Sequence, residues 1–262
     1  MENLTIKDEY SFKLMLQSNV DPLAQIHNSW LSHLPHGELC LKLATRKEAR
    51  GKLQEYLQSH YAWMGKYDFE AIRWPGQLAI LPAQQLQQVL LYLGIWYCSQ
   101  EIRHLINARD VAKIRAAVGE NGYQFAIKLA PFISGQEKGT EQVKEARRLQ
   151  GQKLLSGLLK EKKLPSLRNA SAKPAINGEQ DSVEKGIAQT LQHIGLKLIF
   201  AQLSSLAEPL KMRLFSKLPY CWYLERQQLQ SDPLMAIDEN ADALLIKRII
   251  VECLPQCSNM LQ

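Results

Sequence analysis

The 262-residue sequence predicts an all-α protein, a single compact multi-helix domain carrying a basic, partly flexible insertion. Three observations lead there. Apolar residues recur every three or four positions along most of the chain. Asp21-Pro22, Pro82, Pro209 and Pro219 stand where these periodic stretches begin, as helix-starting residues do. Long alternating runs of β-branched residues, the mark of strands, are missing.

The elements follow in order. Asp21 is placed to cap a helix with Pro22 at its first position, and Leu23, Ile26, Trp30 and Leu34 then step along one face. From Thr45 to Lys66 a charged stretch carries Leu53, Tyr56, Leu57, Tyr61 and Met64 on one face. "WPGQLAILP", Trp74–Pro82, is a punctuated connector. A helix begins near Pro82 or Ala83 and buries Leu86, Val89, Leu90, Leu93, Trp96 and Tyr97. Gly94 inside it costs about 1 kcal/mol relative to alanine, which points to another helix crossing closely. Helices are expected around Val111–Val118 and Tyr123–Phe132, then near Ser182–Leu206, Pro209–Ser216, Pro219–Gln230 and Asp238–Leu254.

Composition narrows the class. The apolar fraction is 46% and the charged fraction 22%, as in soluble globular chains. "MENLTIKDEY" lacks the basic and apolar regions of a signal peptide. No charged residue occurs from Trp74 to Gln100, but the apolar core "VLLYLGIWYC" is about half of the roughly 20 residues a membrane helix needs. Five cysteines and no secretory signal favour reduced thiols in the cytosol. Cys253 and Cys257 have no second pair to complete a zinc site.

Charge is unevenly spread. Ser134–Lys173 holds ten basic and four acidic residues, so its net charge equals the +6 of the whole chain. The rest is neutral. "TEQVKEARRLQGQKLLSGLLKEKKL" places Val143, Ala146, Leu149, Leu154, Leu155, Leu158 and Leu159 at near-helical spacing, a basic amphipathic helix. "LPSLRNASAKPAINGEQD" after it reads as a flexible loop. The helix suits a partner groove or an anionic surface, or its leucines cover the domain.

Glu101 and His104 have the Glu-x-x-His spacing of di-iron bundles, which need the motif on two helices and two further glutamates. None of the other five histidines has a glutamate three residues before it. His27, His33 and His36 cluster without a cysteine or carboxylate at ligand spacing. No phosphate-binding glycine loop, dinucleotide fingerprint or nucleophile elbow occurs. The expectation is no catalytic residue, no metal and no cofactor.

"VLLYLGIWYCSQEIRHLI" (Val89–Ile106) resembles the centre of the K component of the type III secretion sorting platform, the YscK/PscK family, where a "RLGL…GEAIRR"-like helix stands. "HNSWLSHLP" is similar to an early segment with an aromatic residue before a leucine-proline turn. "ADALLIKRIIVECLPQCSNMLQ" resembles the family's ending. The likeness runs along nearly the whole chain. Relative to short members, the surplus falls at roughly 134–181, the compositional outlier.

The resemblance implies a non-enzymatic adaptor on the cytoplasmic face of the inner membrane, serving protein export and virulence. Its implied partners are the forkhead-associated-like cytoplasmic domain of the inner-membrane ring protein (D component) and the Q component of the sorting-platform pods. The L component and export ATPase lie beyond them. Protein interfaces favour aromatic and arginine anchors. Candidates are Arg103, Arg226, Trp222, Arg147 and Arg148, with Trp63, Trp74 and Tyr223 also available and core burial the alternative for the aromatics. The competing function is a helical nucleic-acid or anionic-surface binder using 134–173, a segment with no aromatic residue to stack on bases.

Overall fold

A computed structural model gives the conformation of residues 9–61, 73–134, 149, 151–157, 159, 179–226 and 239–255. Every regular element among these residues is helical, and the fold is all-α. The chain divides into two compact units.

The first unit comprises Met1–Gln87, Ile199–Met235 and Ile250–Gln262. It contains α1 (Glu9–Val20), a 3₁₀ turn at Pro22–Gln25, α2 (Asn28–Ser32), α3 (Gly37–Ala44), α4 (Arg50–His60) and α5 (Gln77–Ile80). The start of α6 (Ala83–Tyr97) and the end of α10 (Glu179–Leu203) follow, then α11 (Glu208–Ser216), α12 (Tyr220–Leu224) and the last residues of α13 (Glu239–Cys253). Asp21 accepts from the Ala24 N–H at 3.2 Å. The element it caps is the single 3₁₀ turn, and a separate α2 follows. Leu53 and Leu57 form the buried stripe of α4. The Trp74–Pro82 connector is buried rather than looped out. Its residues from Pro75 to Leu81 are all interior, with α5 inside them and a cis peptide before Pro75.

The second unit comprises Gln88–Leu198 and Ala236–Ile249. After α6 come α7 (Ser99–Arg103), α8 (Ala108–Gln124), a π-helical turn at Phe125–Leu129 and α9 (Ala130–Ser134). Residues 151–157 are helical, and α10 and α13 complete the unit. Leu90, Leu93, Trp96 and Tyr97 are at most 4% exposed, as the spacing of α6 predicts. α8 is broken inside by Gly119, whose φ of 75° leaves the helical region. That break falls between the two helices the sequence separates there. Tyr92 meets Phe125 edge-on at 4.9 Å.

The close crossing expected at Gly94 is present. A Cβ at Gly94 would stand 2.0 Å from the Leu191 carbonyl oxygen of α10, and one at Gly195 would stand 1.9 Å from that of Leu90. The two helices therefore touch backbone to backbone in both directions, four residues apart on each.

A candidate interaction surface

The first unit gathers aromatic side chains around one tryptophan. Trp30, on α2, is fully buried, and its indole N–H donates to the Leu218 carbonyl at 2.9 Å. Its ring meets Tyr220 edge-on at 4.9 Å, Tyr223 at 5.0 Å and Tyr61 at 5.5 Å. Aromatic pairs at such separations contribute about 0.5–1.5 kcal/mol each beyond the area they bury. Backbone bonds fix the frame. The His27 N–H donates to the Ser216 carbonyl at 2.7 Å, and the Tyr220 N–H donates to Ser29 Oγ at 2.8 Å. His27 caps α2, its Nδ1 accepting from the Ser29 N–H at 3.2 Å.

Around this anchor the assembly becomes half-exposed. Tyr61, Tyr220 and Tyr223 are partly accessible, His33 is exposed and meets the Tyr220 ring at a tilt with centroids 4.2 Å apart, and Leu224 is 56% exposed. The Arg226 guanidinium lies over the Tyr223 ring at 3.7 Å and donates to the Tyr223 carbonyl at 3.0 Å. A cation over an aromatic face is held for about 0.5–1 kcal/mol at such a site, leaving further N–H groups able to receive an acceptor. Burial, then the neighbouring Tyr220 and Tyr223, push the Tyr61 phenol up to about 12, so it stays a neutral donor. Trp222, on the same helix as Tyr223, points the other way and is 5% exposed.

The other residues singled out in the sequence lie elsewhere. In the second unit, Arg103 is exposed at the end of α7. Glu101 and His104 border a cleft of about 430 Å³ with Gln100, Leu105, Gln152, Leu155, Ser156 and Leu159. Glu101 is half-buried against Gly151, and His104 is exposed at the helix end. Leu155 is 3% exposed and Leu149 47% exposed, so the described leucines of the basic stretch face different ways. Arg147, Arg148, Trp63 and Cys257 lie outside the described residues. Among those described, no three His, Cys, Asp or Glu side chains converge as metal ligands. Cys40, Cys98, Cys221 and Cys253 are free thiols. Burial raises the first three above the ordinary thiol range, so they are protonated and poorly nucleophilic at neutral pH. Among the described residues no helix is long and apolar enough to cross a membrane.

Reading the sequence for anchors finds Tyr223 and Arg226 but not the group that organises them. Trp30 stands out only as one apolar position of a helix. The signal available was the pairing of two aromatic-rich segments after leucine-proline or histidine turns, "HNSWLSHLP" and "KLPYCWYLER".

A search of curated proteins found no match, and a search of solved structures found none. The family model described as "YOP proteins translocation protein K (YscK)" matches residues 15–262, which include the aromatic segments, the α6 crossing and the C-terminal helix. The chain belongs to the YscK family and is a component of a type III secretion system.

Proposed function

We propose that the chain is a non-enzymatic adaptor at the cytoplasmic face of the inner membrane. It links the forkhead-associated-like cytoplasmic domain of the ring protein to the Q component of the sorting-platform pods, and through them to the L component and export ATPase. Family membership supports the setting. The observation that carries the adaptor reading is the half-exposed Tyr220–Tyr223–Arg226 face over a buried Trp30. Aromatic and arginine side chains on a pre-formed base lose little conformational entropy on binding, which is how binding energy concentrates in a few residues.

Co-elution of the purified chain with the ring protein's cytoplasmic domain and, separately, with the Q component tests this. The double variant Tyr223→Ala, Arg226→Glu should lose one partner at least tenfold while its helical circular dichroism is retained. Arg103→Glu, on the second unit, is the comparison for the other partner. Absence of binding by the unaltered chain to either protein refutes the adaptor role.

A second reading, binding to an anionic polymer or surface, is favoured by the concentration of all net charge in 134–173. It requires affinity that collapses steeply between 50 and 200 mM salt, roughly a thousandfold or more for 6–10 phosphate contacts.

A further inference from the structure

Two basic side chains lie inside the first unit, one helical turn apart. Arg213 is 3% exposed and Lys217 is 2% exposed. Arg213 donates to Asn19 Oδ1 of α1. Lys217 Nζ donates to the carbonyl of Ala79 and, at 2.7 Å, to that of Leu81. Both acceptors belong to the Trp74–Pro82 connector, which has no ionisable side chain. α1 brings an amide to this region; its Glu9 and Lys13 are exposed and its Tyr10 pairs with Gln85. α12 brings the phenols of Tyr220 and Tyr223 and the Cys221 thiol. No carboxylate among the described residues pairs with Lys217.

A buried ammonium with no counter-charge and a buried guanidinium beside it is costly. A neutral amine has two N–H hydrogens, and two carbonyls are there to accept them. We propose that Lys217 is held as the neutral amine and acts as a proton-operated clasp, tying the connector at Ala79–Leu81 to the end of α11. Proton uptake sets a second buried cation beside Arg213, and the cost of that charge destabilises the fold the clasp holds. Leu218, the next residue, holds the Trp30 indole, so the clasp and the aromatic assembly share one turn of chain.

Burial, and then the charge of Arg213, push the amine down from 10.5 to about 7. In the unfolded chain it titrates near 10.5. Between these values the unfolded state binds more protons, so folded stability rises with pH. Below about 7 the side chain is charged in both states and the gain is gone.

The test is the urea midpoint of the full chain from pH 6 to 9, beside Lys217→Met. Relative to the variant, the unaltered protein should grow more resistant to urea from pH 7 upward, since the buried thiols are common to both and cancel in the difference. Unfolding at pH 8 should take up about one more proton in the unaltered protein than in the variant. If Lys217→Met does not fold, nitrogen NMR of the lysine side chains in the unaltered protein decides instead. One Nζ should report a neutral amine at pH 8.5. A variant that keeps the full slope, or a protein whose lysines are all ammonium at pH 8.5, overturns the clasp.

Discussion

Replacing Gly94 by alanine measures the crossing of α6 and α10. The new Cβ would lie 2.0 Å from the Leu191 carbonyl oxygen, 2.6 Å from its carbon and 3.0 Å from its Cα. Ordinary contact begins near 3.4 Å. The helices must therefore part by about 1.4 Å, and no flexible side chain is there to yield, because the obstructing atoms are backbone. Overpacking a core costs about 1–3 kcal/mol where side chains can adjust, and more where they cannot. Against this, alanine returns about 1 kcal/mol of helix propensity. The net expectation is a loss of about 2–3 kcal/mol. With roughly 2–4 °C per kcal/mol for a chain of this size, the melting temperature should fall by about 4–12 °C. Urea unfolding followed by circular dichroism reads the same loss as a lower midpoint. Gly51, near the start of α4, has nothing within 4 Å of a Cβ, so Gly51→Ala should be neutral or stabilising by up to about 1 kcal/mol. Gly195→Ala strikes the same contact from the other helix. The double variant should lose less than the sum of the singles, since parting the helices once relieves both clashes. If Gly94→Ala matches Gly51→Ala and gains stability, the backbone contact is wrong and Gly94 is only a weak helix position.

Trp96→Ala should cost about 3–5 kcal/mol, because a 3% exposed indole leaves a large cavity; partner binding lost at an unchanged melting temperature would put Trp96 on an interface instead. Trp30→Phe keeps a ring in the aromatic assembly but strands the buried Leu218 carbonyl, and thermal unfolding should register about 1–3 kcal/mol. His27 caps α2 as an acceptor, and burial lowers its pKa below 6.5, so its contribution is complete above that value and fades as pH falls through the lowered one. His27→Asn keeps an acceptor that does not titrate, and should flatten the stability profile below pH 6.5. Leu155→Ala should cost about 2–5 kcal/mol, read as a lower urea midpoint, because a 3% exposed side chain leaves a cavity.

Local chemistry made much of this fold legible. The apolar spacing of α6 identifies Leu86, Val89, Leu90, Leu93, Trp96 and Tyr97, all buried, and an unforced glycine in that row announces the helix that crosses it. The helix break at Gly119 was readable as a gap between two periodic runs. What could not be read depends on residues far apart in the chain. "WPGQLAILP" has the punctuation of a connector and says nothing of its burial, which follows from Lys217 and α11, about 140 residues later. Trp222 and Tyr223 are neighbours with opposite fates, a distinction set by which side of a one-turn helix meets Trp30. Periodicity says little over five residues. The anchor of the candidate site is therefore not legible in the sequence, although two of its rim residues are.

The long reach of these contacts bears on how the protein is made. The Trp30 indole and its acceptor are 188 residues apart, and Arg213 meets Asn19 across 194. At roughly 5–20 residues per second of synthesis, the N-terminal helices wait about 10–40 s on the ribosome for the segment that covers them. During that interval Trp30 lacks the Leu218 carbonyl and the Tyr220 and Tyr223 rings, and His27 lacks the Ser216 carbonyl. The second unit needs less waiting for its first contacts, since α7, α8 and α9 are consecutive. Assembly of the first unit is thus a late event, and shortening the gene from its 3′ end should yield chains whose opening helices aggregate or attract chaperones rather than fold.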